Sequence, residues 1–350
     1  MATTDYPVNH PNAVKHWERD LMKEALKKTY ALQFIGSGKD SLCTIKTETQ
    51  KQPGDRVRVM IRSQLTGAGV QGDNTLEGNE ESLETFYQDV VIDQLRHAVR
   101  SGGKMSEQRV PYSVRAEARD GLADWWSDRI DTWFFNQLAG NSGETDPRYY
   151  GFNAPTDPDA DHVTYHTSGS TAEVSISATS VAKMNLQAID YAVEKAKLAK
   201  NALRPIRIGG KDYLVAFLHP YQVTDLRTST ATLQWADIQK AAMSGGNVSD
   251  NPIFTGALGV YNGVILHEAV RVPAAPTNTS VRRSIIAGAQ ALAIGFGREF
   301  GKNNFSWVEE LFDFKNQLGV AAGCQAGMIK SRFNGSDYGT VVVPTYAVAH

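Results

Sequence analysis

The feature that most constrains this chain is the segment 56–65, in which apolar and polar side chains alternate. The apolar set is Val57, Val59, Ile61 and Leu65, and the polar set is Arg56, Arg58, Arg62 and Gln64. A period of two is typical of a β-strand that has one covered face. The segment therefore predicts a strand whose apolar face must be packed against something.

A glycine-rich acidic loop, residues 66–81, follows this strand. Its glycines are Gly67, Gly69, Gly72 and Gly78, and its carboxylates are Asp73, Glu77, Glu80 and Glu81. Such a loop has little that could fill a core, so we expect it to project into solvent or onto a neighbour. Residues 85–99 return as an extended arm with Phe86, Val90 and Ile92 on one face. Together these segments predict an extended β-hairpin loop.

A long helix is predicted from Tyr112 to Ala139, because larger side chains recur there in steps of three to five residues. The stripe consists of Val114, Ala118, Leu122, Trp125, Ile130, Trp133, Phe134 and Leu138, with Trp126 beside it. Gly140 to Gly143 ends the pattern. At 1.5 Å per residue the helix would be about 40 Å long, and a rod of that length usually organises a domain.

Several short and uncommon sequence motifs follow one another in residues 65–131. They are Leu65-Thr66-Gly67-Ala68-Gly69, Thr75-Leu76-Glu77-Gly78-Asn79-Glu80-Glu81, Ile92-Asp93-Gln94-Leu95-Arg96-His97-Ala98-Val99, Ala118-Arg119-Asp120, Asp124-Trp125-Trp126 and Arg129-Ile130-Asp131. In this order they resemble the major capsid proteins of N4-like short-tailed phages. The resemblance covers residues 54–140 and extends in weaker form over 205–346.

The resemblance implies an α+β Hong Kong 97-like capsid fold. In its terms residues 1–51 would be an N-terminal arm, 52–103 the extended loop, and 104–204 a peripheral domain. The peripheral domain would hold the spine helix 112–139 and a second helix at 180–200. Residues 205–273 would lie mainly in the axial domain, and 274–350 would supply return strands to both domains.

The implied function is a major capsid protein that forms pentamers and hexamers of an icosahedral shell around double-stranded DNA. Loop residues expected at contacts between subunits are Arg56, Arg58, Arg62, Gly67, Gly69, Gly72, Asp73, Glu77, Gly78, Glu80 and Glu81. Spine-helix residues expected in the core or an interface are Leu122, Trp125, Trp126, Ile130, Trp133 and Phe134. No catalytic, cofactor or metal site is expected.

The resemblance also implies partners and a location. A portal would accompany the shell, with or without a decoration protein, and the chain would be made in the host cytoplasm and carried in the virion. A separate scaffolding protein is expected, since only about fifty residues precede the loop, too few for a fused domain that folds alone. The founding member of the fold cross-links its loop lysine to an asparagine of another subunit. No lysine occurs here between Lys51 and Lys104, so we expect no such bond.

Composition agrees with a structural role. The formal net charge of -2 gives no net attraction to DNA or to an anionic membrane, so packaged DNA would be enclosed without sequence-specific binding. Cys43 and Cys324 are too few for a disulfide framework, which favours a reducing compartment. The sequence shows neither a secretory signal at its start nor an apolar run of membrane-spanning length.

The remaining segments can be placed coarsely. Helical spacing predicts an amphipathic arm over residues 12–33. It also predicts a helix over 180–200, whose inward side chains are Met184, Leu186, Ile189, Val193 and Ala196. The composition of residues 141–176 predicts an exposed loop or short hairpin. A hairpin around Gly209-Gly210 is predicted over 206–218. Further strands are expected at 260–272, 281–296 and 338–348.

For each motif that could suggest a catalytic or ligand-binding site, an ordinary structural role explains the residues better. His162 and His166 have the spacing of a helical metal pair but lack the glutamate of the zinc-protease motif, so we interpret them as surface histidines. Gly36-Ser37-Gly38-Lys39 lacks the full spacing of a phosphate loop, and the loop carboxylates lack the tight alternation of a calcium site. His219, Tyr221 and Arg227 form no nucleophile and base pair. Another virion component, such as a decoration or tail subunit, and a hydrolase or metal-binding enzyme stay open as alternatives.

Overall fold

The computed structural model describes residues 29–46, 54–62, 65, 67–83, 85–111, 113–165, 170–178, 182–228, 257–297 and 305–350. The helices are α1 (Lys104–Arg109), α2 (Val114–Ala139), α3 (Leu186–Leu198) and α4 (Pro220–Thr228). The strands are β1 (Ile35–Gly36), β2 (Cys43–Lys46), β3 (Arg56–Arg62), β4 (Thr85–Val91), β5 (Asp93–Arg100), β6 (Ile206–Ile208), β7 (Lys211–Leu218), β8 (Ala257–Tyr261), β9 (Val264–Glu268), β10 (Ala274–Ala275), β11 (Asn278–Ala287), β12 (Leu292–Phe296), β13 (Phe305–Phe312), β14 (Gln317–Lys330), β15 (Arg332–Phe333), β16 (Ser336–Asp337) and β17 (Thr340–Tyr346).

A six-stranded sheet is built around β14, which is 14 residues long. The C-terminal part of β14 pairs with β12, and β2 and β1 extend the sheet beyond β12. The N-terminal part of β14 lies between β13 and β5, both antiparallel to it. This three-stranded section ends in the β13–β14 turn.

A seven-stranded sheet contains the strands predicted around Gly209-Gly210. Its order is β10, β11, β7, β9 and β8, with β17 also paired to β11 and β6 to β7. β9 and β17 are almost entirely buried and mostly apolar, which is typical of strands covered on both faces. Helix α3 packs on this sheet, where Ile189 and Val193 share a core with Leu218 and Val341.

Helix α2, called the spine helix below, contacts both sheets. Ser113 caps its N-terminus by accepting a hydrogen bond from the Ala116 N–H group, and Gly140 ends it in the left-handed region. The Trp126 ring lies 4.9 Å from Phe305 of the first sheet, and Phe134 lies 5.8 Å from Phe217 of the second. These aromatic contacts join the two sheets through one helix.

Several predicted boundaries were wrong. The spine helix begins at Val114, two residues after the predicted Tyr112, which lies outside the described residues. The helix predicted at 180–200 spans only Leu186–Leu198, because Asn185 caps it through its side chain. Residues 180 and 181 lie outside the described part of the chain.

The single strands predicted at 260–272 and 281–296 are each two strands. Residues 257–268 turn at Asn262-Gly263 between β8 and β9. The chain leaves the second sheet after Ala287 and enters the first at Leu292. Most of the arm predicted over 12–33 lies outside the described residues, and Tyr30–Phe34 is a short 3-10 helix.

Candidate assembly interface

The extended loop has a base that packs onto the body of the molecule. Strands β3 and β4 pair from Arg56 opposite Val91 to Arg62 opposite Thr85. Val57 and Val90 are buried on its inner face, where they contact Ala293 of β12. The apolar face predicted from the alternation is therefore covered at its base by the chain's own first sheet.

Two polar side chains fasten this base. The Gln88 amide donates to the Lys330 carbonyl oxygen at 2.8 Å and accepts from the Arg332 N–H group at 2.9 Å. Asn153 binds both backbone groups of Val91, at 2.9 and 3.0 Å. Sequence reasoning missed both residues. The available signal was that Gln88 interrupts the inward positions of Phe86 and Val90 with a polar side chain.

The outer face of the hairpin is exposed. Met60 lies opposite Tyr87, and their exposed fractions are 73% and 65%. Arg58 donates to both carboxylate oxygens of Asp89, at 2.7 and 2.9 Å, and its guanidinium lies 4.1 Å from the Tyr87 ring centre. That hydrogen bond holds the pKa of the Asp89 carboxyl below its usual range. This outer face, formed by Arg58, Met60, Tyr87 and Asp89, combines apolar area with a fixed ion pair.

The other predicted contact residues lie at the ends of β3 and in the loop that follows it. Arg56 is exposed beside Asp55, and Arg62 is the last residue of β3, with a side chain outside the described set. Gly67, Asp73, Glu77, Glu80 and Glu81 are exposed in the loop, as are Gly69, Gly72 and Gly78, which have positive φ. Leu65, Leu76 and Leu83 add exposed apolar side chains.

The loop tip is organised by its own hydrogen bonds. Glu81 accepts from the Gly67 N–H group at 2.7 Å, and Glu80 accepts from the Gly78 N–H group at 2.8 Å. The Asn79 side chain donates to the Thr75 carbonyl oxygen at 3.0 Å. Two of the four acidic side chains therefore hold the loop closed.

The spine-helix residues divide by burial. Leu122, Trp126, Ile130, Trp133 and Phe134 are buried in the large core cluster. Trp125 is half-buried, its ring stacks on His97 at 4.6 Å, and the Arg129 guanidinium lies 5.0 Å from its centre.

The sites considered for catalysis or ligands have structural roles. His162 is buried, so its interpretation as a surface histidine was wrong: its Nδ1 lies 2.7 Å from Asp159 Oδ1 and its Nε2 lies 3.2 Å from the Asn201 carbonyl oxygen. His166 lies outside the described residues. Gly36 to Lys39 runs from β1 into a turn that leads to β2. Within the described ranges no three His, Cys, Asp or Glu side chains are placed to hold a metal ion, and no helix there is long and apolar enough to cross a bilayer.

Comparison with known proteins identifies the family. The phage capsid protein family model matches residues 5–349. The major capsid protein of Pseudomonas phage KPP25 is 28% identical over an alignment of 360 positions, which covers 93% of each chain. A chain from the capsid of Ralstonia phage GP4 superposes with a TM-score of 0.81 at 31% identity, over 99% of both chains. A chain from the cyanophage Pam1 capsid asymmetric unit gives 0.74 at 17% identity, over 100% of this chain and 96% of that one.

These relatives confirm the predicted Hong Kong 97-like fold and the predicted class of function, a major capsid protein. The narrower resemblance to N4-like phages stays a prediction. Through this match along almost its whole length, the chain belongs to the phage capsid protein family.

Proposed function

We propose that this chain is the subunit that forms pentamers and hexamers of an icosahedral shell around the double-stranded DNA of a tailed phage. The observation that carries this proposal is the outer face of the extended loop. A two-stranded ribbon is marginal in water by itself, and this one projects from an anchored base while Met60 and Tyr87 stay exposed. A neighbouring copy would cover them.

The side chains of the outer face are of the types that suit an interface between copies of the subunit. Aromatic, methionine and arginine side chains are those enriched in protein interfaces, and Met60, Tyr87 and Arg58 lie side by side here. The Arg58 and Asp89 pair is preformed, so a partner would meet an ordered surface and lose little side-chain entropy on docking.

The proposal includes the division of the chain. Residues 1–51 would be the N-terminal arm, 52–103 the loop, 104–204 the peripheral domain, 205–273 mainly the axial domain and 274–350 the return strands. The second sheet, which holds β6 to β9, supports an axial unit. A separate scaffolding protein and a portal, with or without a decoration protein, would assist assembly in the host cytoplasm.

The test is the double variant Met60→Ser and Tyr87→Thr. We expect it to fold with an unchanged circular dichroism spectrum and to lose shell formation, because both changes lie on the exposed face. The matched control is Tyr191→Thr with Leu198→Ser, which removes exposed apolar area from α3. Electron microscopy of the chain expressed with the other head proteins would score shells. Normal shells from the loop variant, or tubes instead of shells from the unaltered chain, would contradict the proposal.

A further inference from the structure

We infer that Gln137 of the spine helix is a positioning residue for shell assembly. Through Gln88 and Asn153 it fixes the direction in which the extended loop projects from the body of the same subunit. These three side chains, Gln88, Gln137 and Asn153, are called the amide network below. The inference rests on the proposed function, because the direction of the loop matters only if the loop must meet a neighbouring subunit.

Apolar packing gives the loop base little directional control. Among the described side chains of β3 and β4, only Val57 and Val90 are buried, and they share a small cluster with Ala293. Hydrophobic burial has no preferred direction, whereas a hydrogen bond weakens steeply when its angle is distorted. The direction of the loop therefore depends on the hydrogen bonds that join it to the body.

Two hydrogen-bonded points hold β4. At the first, the Val91 N–H group donates to Asn153 Oδ1 at 2.9 Å, and Asn153 Nδ2 donates to the Val91 carbonyl oxygen at 3.0 Å. At the second, Gln88 donates to the Lys330 carbonyl oxygen at 2.8 Å and accepts from the Arg332 N–H group at 2.9 Å. Three residues along a strand span about 10 Å. Two fixed points at that separation define the direction of the strand.

The first point lies at the junction between the loop and the body. Val91 is the last residue of β4, and the chain enters the first sheet at Asp93 of β5. A Cβ at Gly327 of β14 would collide with the Val91 carbonyl oxygen, so the junction rests directly on the backbone of that sheet. Asn153 therefore acts at the place where a change of backbone angle would swing the whole loop.

Gln137 lies behind both points and is fully buried, with an exposed fraction of 0%. Its Nε2 donates to the Asn153 carbonyl oxygen, and also to the Tyr150 carbonyl oxygen at 2.7 Å. Its Oε1 accepts from the Lys330 N–H group at 3.2 Å. The two residues that hold the loop are thus hydrogen-bonded to one side chain of the spine helix. A shift at the end of this helix would move both points together.

The length of the loop amplifies any error at its base. β4 has seven residues, so the loop extends at least about 20 Å from the junction. A rotation of about 10° there would displace its outer end by about 3.5 Å, which an interface packed as closely as a protein interior could not tolerate. A subunit whose loop points correctly for only a fraction of the time binds its neighbour with an affinity reduced by that fraction. Gln137 can therefore control assembly without touching a partner.

The first test measures the direction of the loop in the isolated subunit. Nitroxide labels on Met60→Cys and Leu198→Cys report the distance from the loop to α3 by pulsed electron paramagnetic resonance, because both positions are exposed while the natural thiols Cys43 and Cys324 are buried. We expect Gln137→Met, which keeps the side-chain volume, to broaden the distance distribution about twofold. In the unlabelled chain, expressed with the other head proteins, the same variant should lower shell yield about tenfold, as expected if the loop points correctly for about a tenth of the time.

The matched control is Gln222→Met in helix α4. Gln222 is also 0% exposed, and its amide is hydrogen-bonded to the His219 N–H group, the Arg282 carbonyl oxygen and Thr345 Oγ1. This variant should lower the thermal midpoint about as much as Gln137→Met and leave the distance distribution unchanged. Equal broadening in both variants, or a distribution that stays narrow in Gln137→Met, would overturn the inference. Normal shell yield from a subunit with a broadened distribution would do the same.

A second variant, Gln88→Met, keeps the inference testable if Gln137→Met does not fold. Gln88 is only half-buried, so its replacement should leave the subunit folded while it removes one of the two points. We expect a broadened distribution here as well, and an unchanged one would contradict the role of the amide network. If the unaltered chain forms no shells, the proposed function fails, whereas the distance distributions still show whether the amide network sets the direction of the loop. The two failures are therefore distinguishable.

Discussion

His219 caps helix α4 with a neutral ring. It lies directly before Pro220, and its Nδ1 accepts a hydrogen bond from the Tyr221 N–H group at 3.2 Å. Burial, followed by the positive charge of Arg282, lowers the pKa of His219 to about 4. A protonated ring would lose this acceptor and would place a cation at a helix N-terminus, where the dipole opposes it.

This geometry predicts a pH dependence. The unfolded chain binds a proton at His219 near pH 6.5 and the folded chain only near pH 4, so stability falls as the pH drops through that window. The shift corresponds to a loss of about 3 kcal/mol at most. His219→Asn keeps an N-cap acceptor but cannot titrate, so it should remove this part of the loss.

Denaturant unfolding of the isolated subunit at several pH values would measure the effect. His350→Asn is the control, because His350 is an exposed histidine near Asp225 in the same region. An identical pH profile for His219→Asn and the unaltered chain would show that His219 does not set the dependence.

At the scale of elements, the end of the spine helix depends on Gly140. Its φ is 61°, and a Cβ at this position would lie 2.2 Å from the Thr156 carbonyl oxygen. Its own carbonyl oxygen accepts a hydrogen bond from buried Arg283 at 2.6 Å. The helix end is therefore packed too closely for any side chain.

Gly140→Ala should accordingly destabilise the subunit by about 2–4 kcal/mol, through left-handed strain and the backbone clash. Gly121 provides a control within the same helix, because a Cβ there meets nothing within 4 Å. Gly121→Ala should stabilise by about 0.5–1 kcal/mol through helix propensity. Thermal unfolding of both variants would check the opposite signs, and a neutral Gly140→Ala would contradict the packing argument.

The sequence predicted correctly those elements whose pattern of apolar side chains is visible within the element itself. The alternation at Val57 and Val59 predicted β3, and the aromatic stripe with its glycine stop predicted the spine helix to within two residues of its start. Strands β13 and β14 were not predicted. Glu309 interrupts the buried face of β13, and its partner Arg115 is 194 positions away in the chain, so local sequence could not show that this position faces inward.

The split between β11 and β12 also has a tertiary cause. At Gly288 a Cβ would lie 2.3 Å from the Arg204 carbonyl oxygen, and the Ala289 N–H group donates to that oxygen at 2.7 Å. The apolar run in the sequence continues through the point where the chain passes from β11 to β12, because both of these strands are buried. Only the contact with a distant segment reveals that the chain changes sheets there.

On the scale of the whole molecule, the acidic loop tip is proposed to lie over basic groups of a neighbouring subunit. Glu80 and Glu81 accept hydrogen bonds within the loop, so their replacement would alter loop shape as well as charge. Asp73 and Glu77 are exposed and are the better probes of a partner. Each exposed ion pair contributes about 0–1 kcal/mol, but the contribution is repeated over the shell.

We expect Asp73→Lys with Glu77→Lys to reduce shell yield strongly, and Asp73→Asn with Glu77→Gln to reduce it less. The subunit should stay folded in both cases, since neither side chain is buried. Shell yield by sedimentation, with thermal unfolding of the subunit, measures both quantities. If charge reversal assembles as well as the unaltered chain, the tip does not face basic groups.

The loop's lack of lysine determines how such a shell could be held together. An amide cross-link from the loop would need an amine that loses its proton, and no lysine occurs between Lys51 and Lys104. The loop's cations are arginines, and Arg58 is engaged with Asp89, a contact that raises the pKa of its guanidinium further. A guanidinium stays protonated and is a poor nucleophile. The buried thiols Cys43 and Cys324 offer no exposed alternative.

Boiled and reduced particles should therefore give a single band near 38.3 kDa on a denaturing gel. A ladder of multimers that survives reduction would show that residues outside the loop supply a covalent bond.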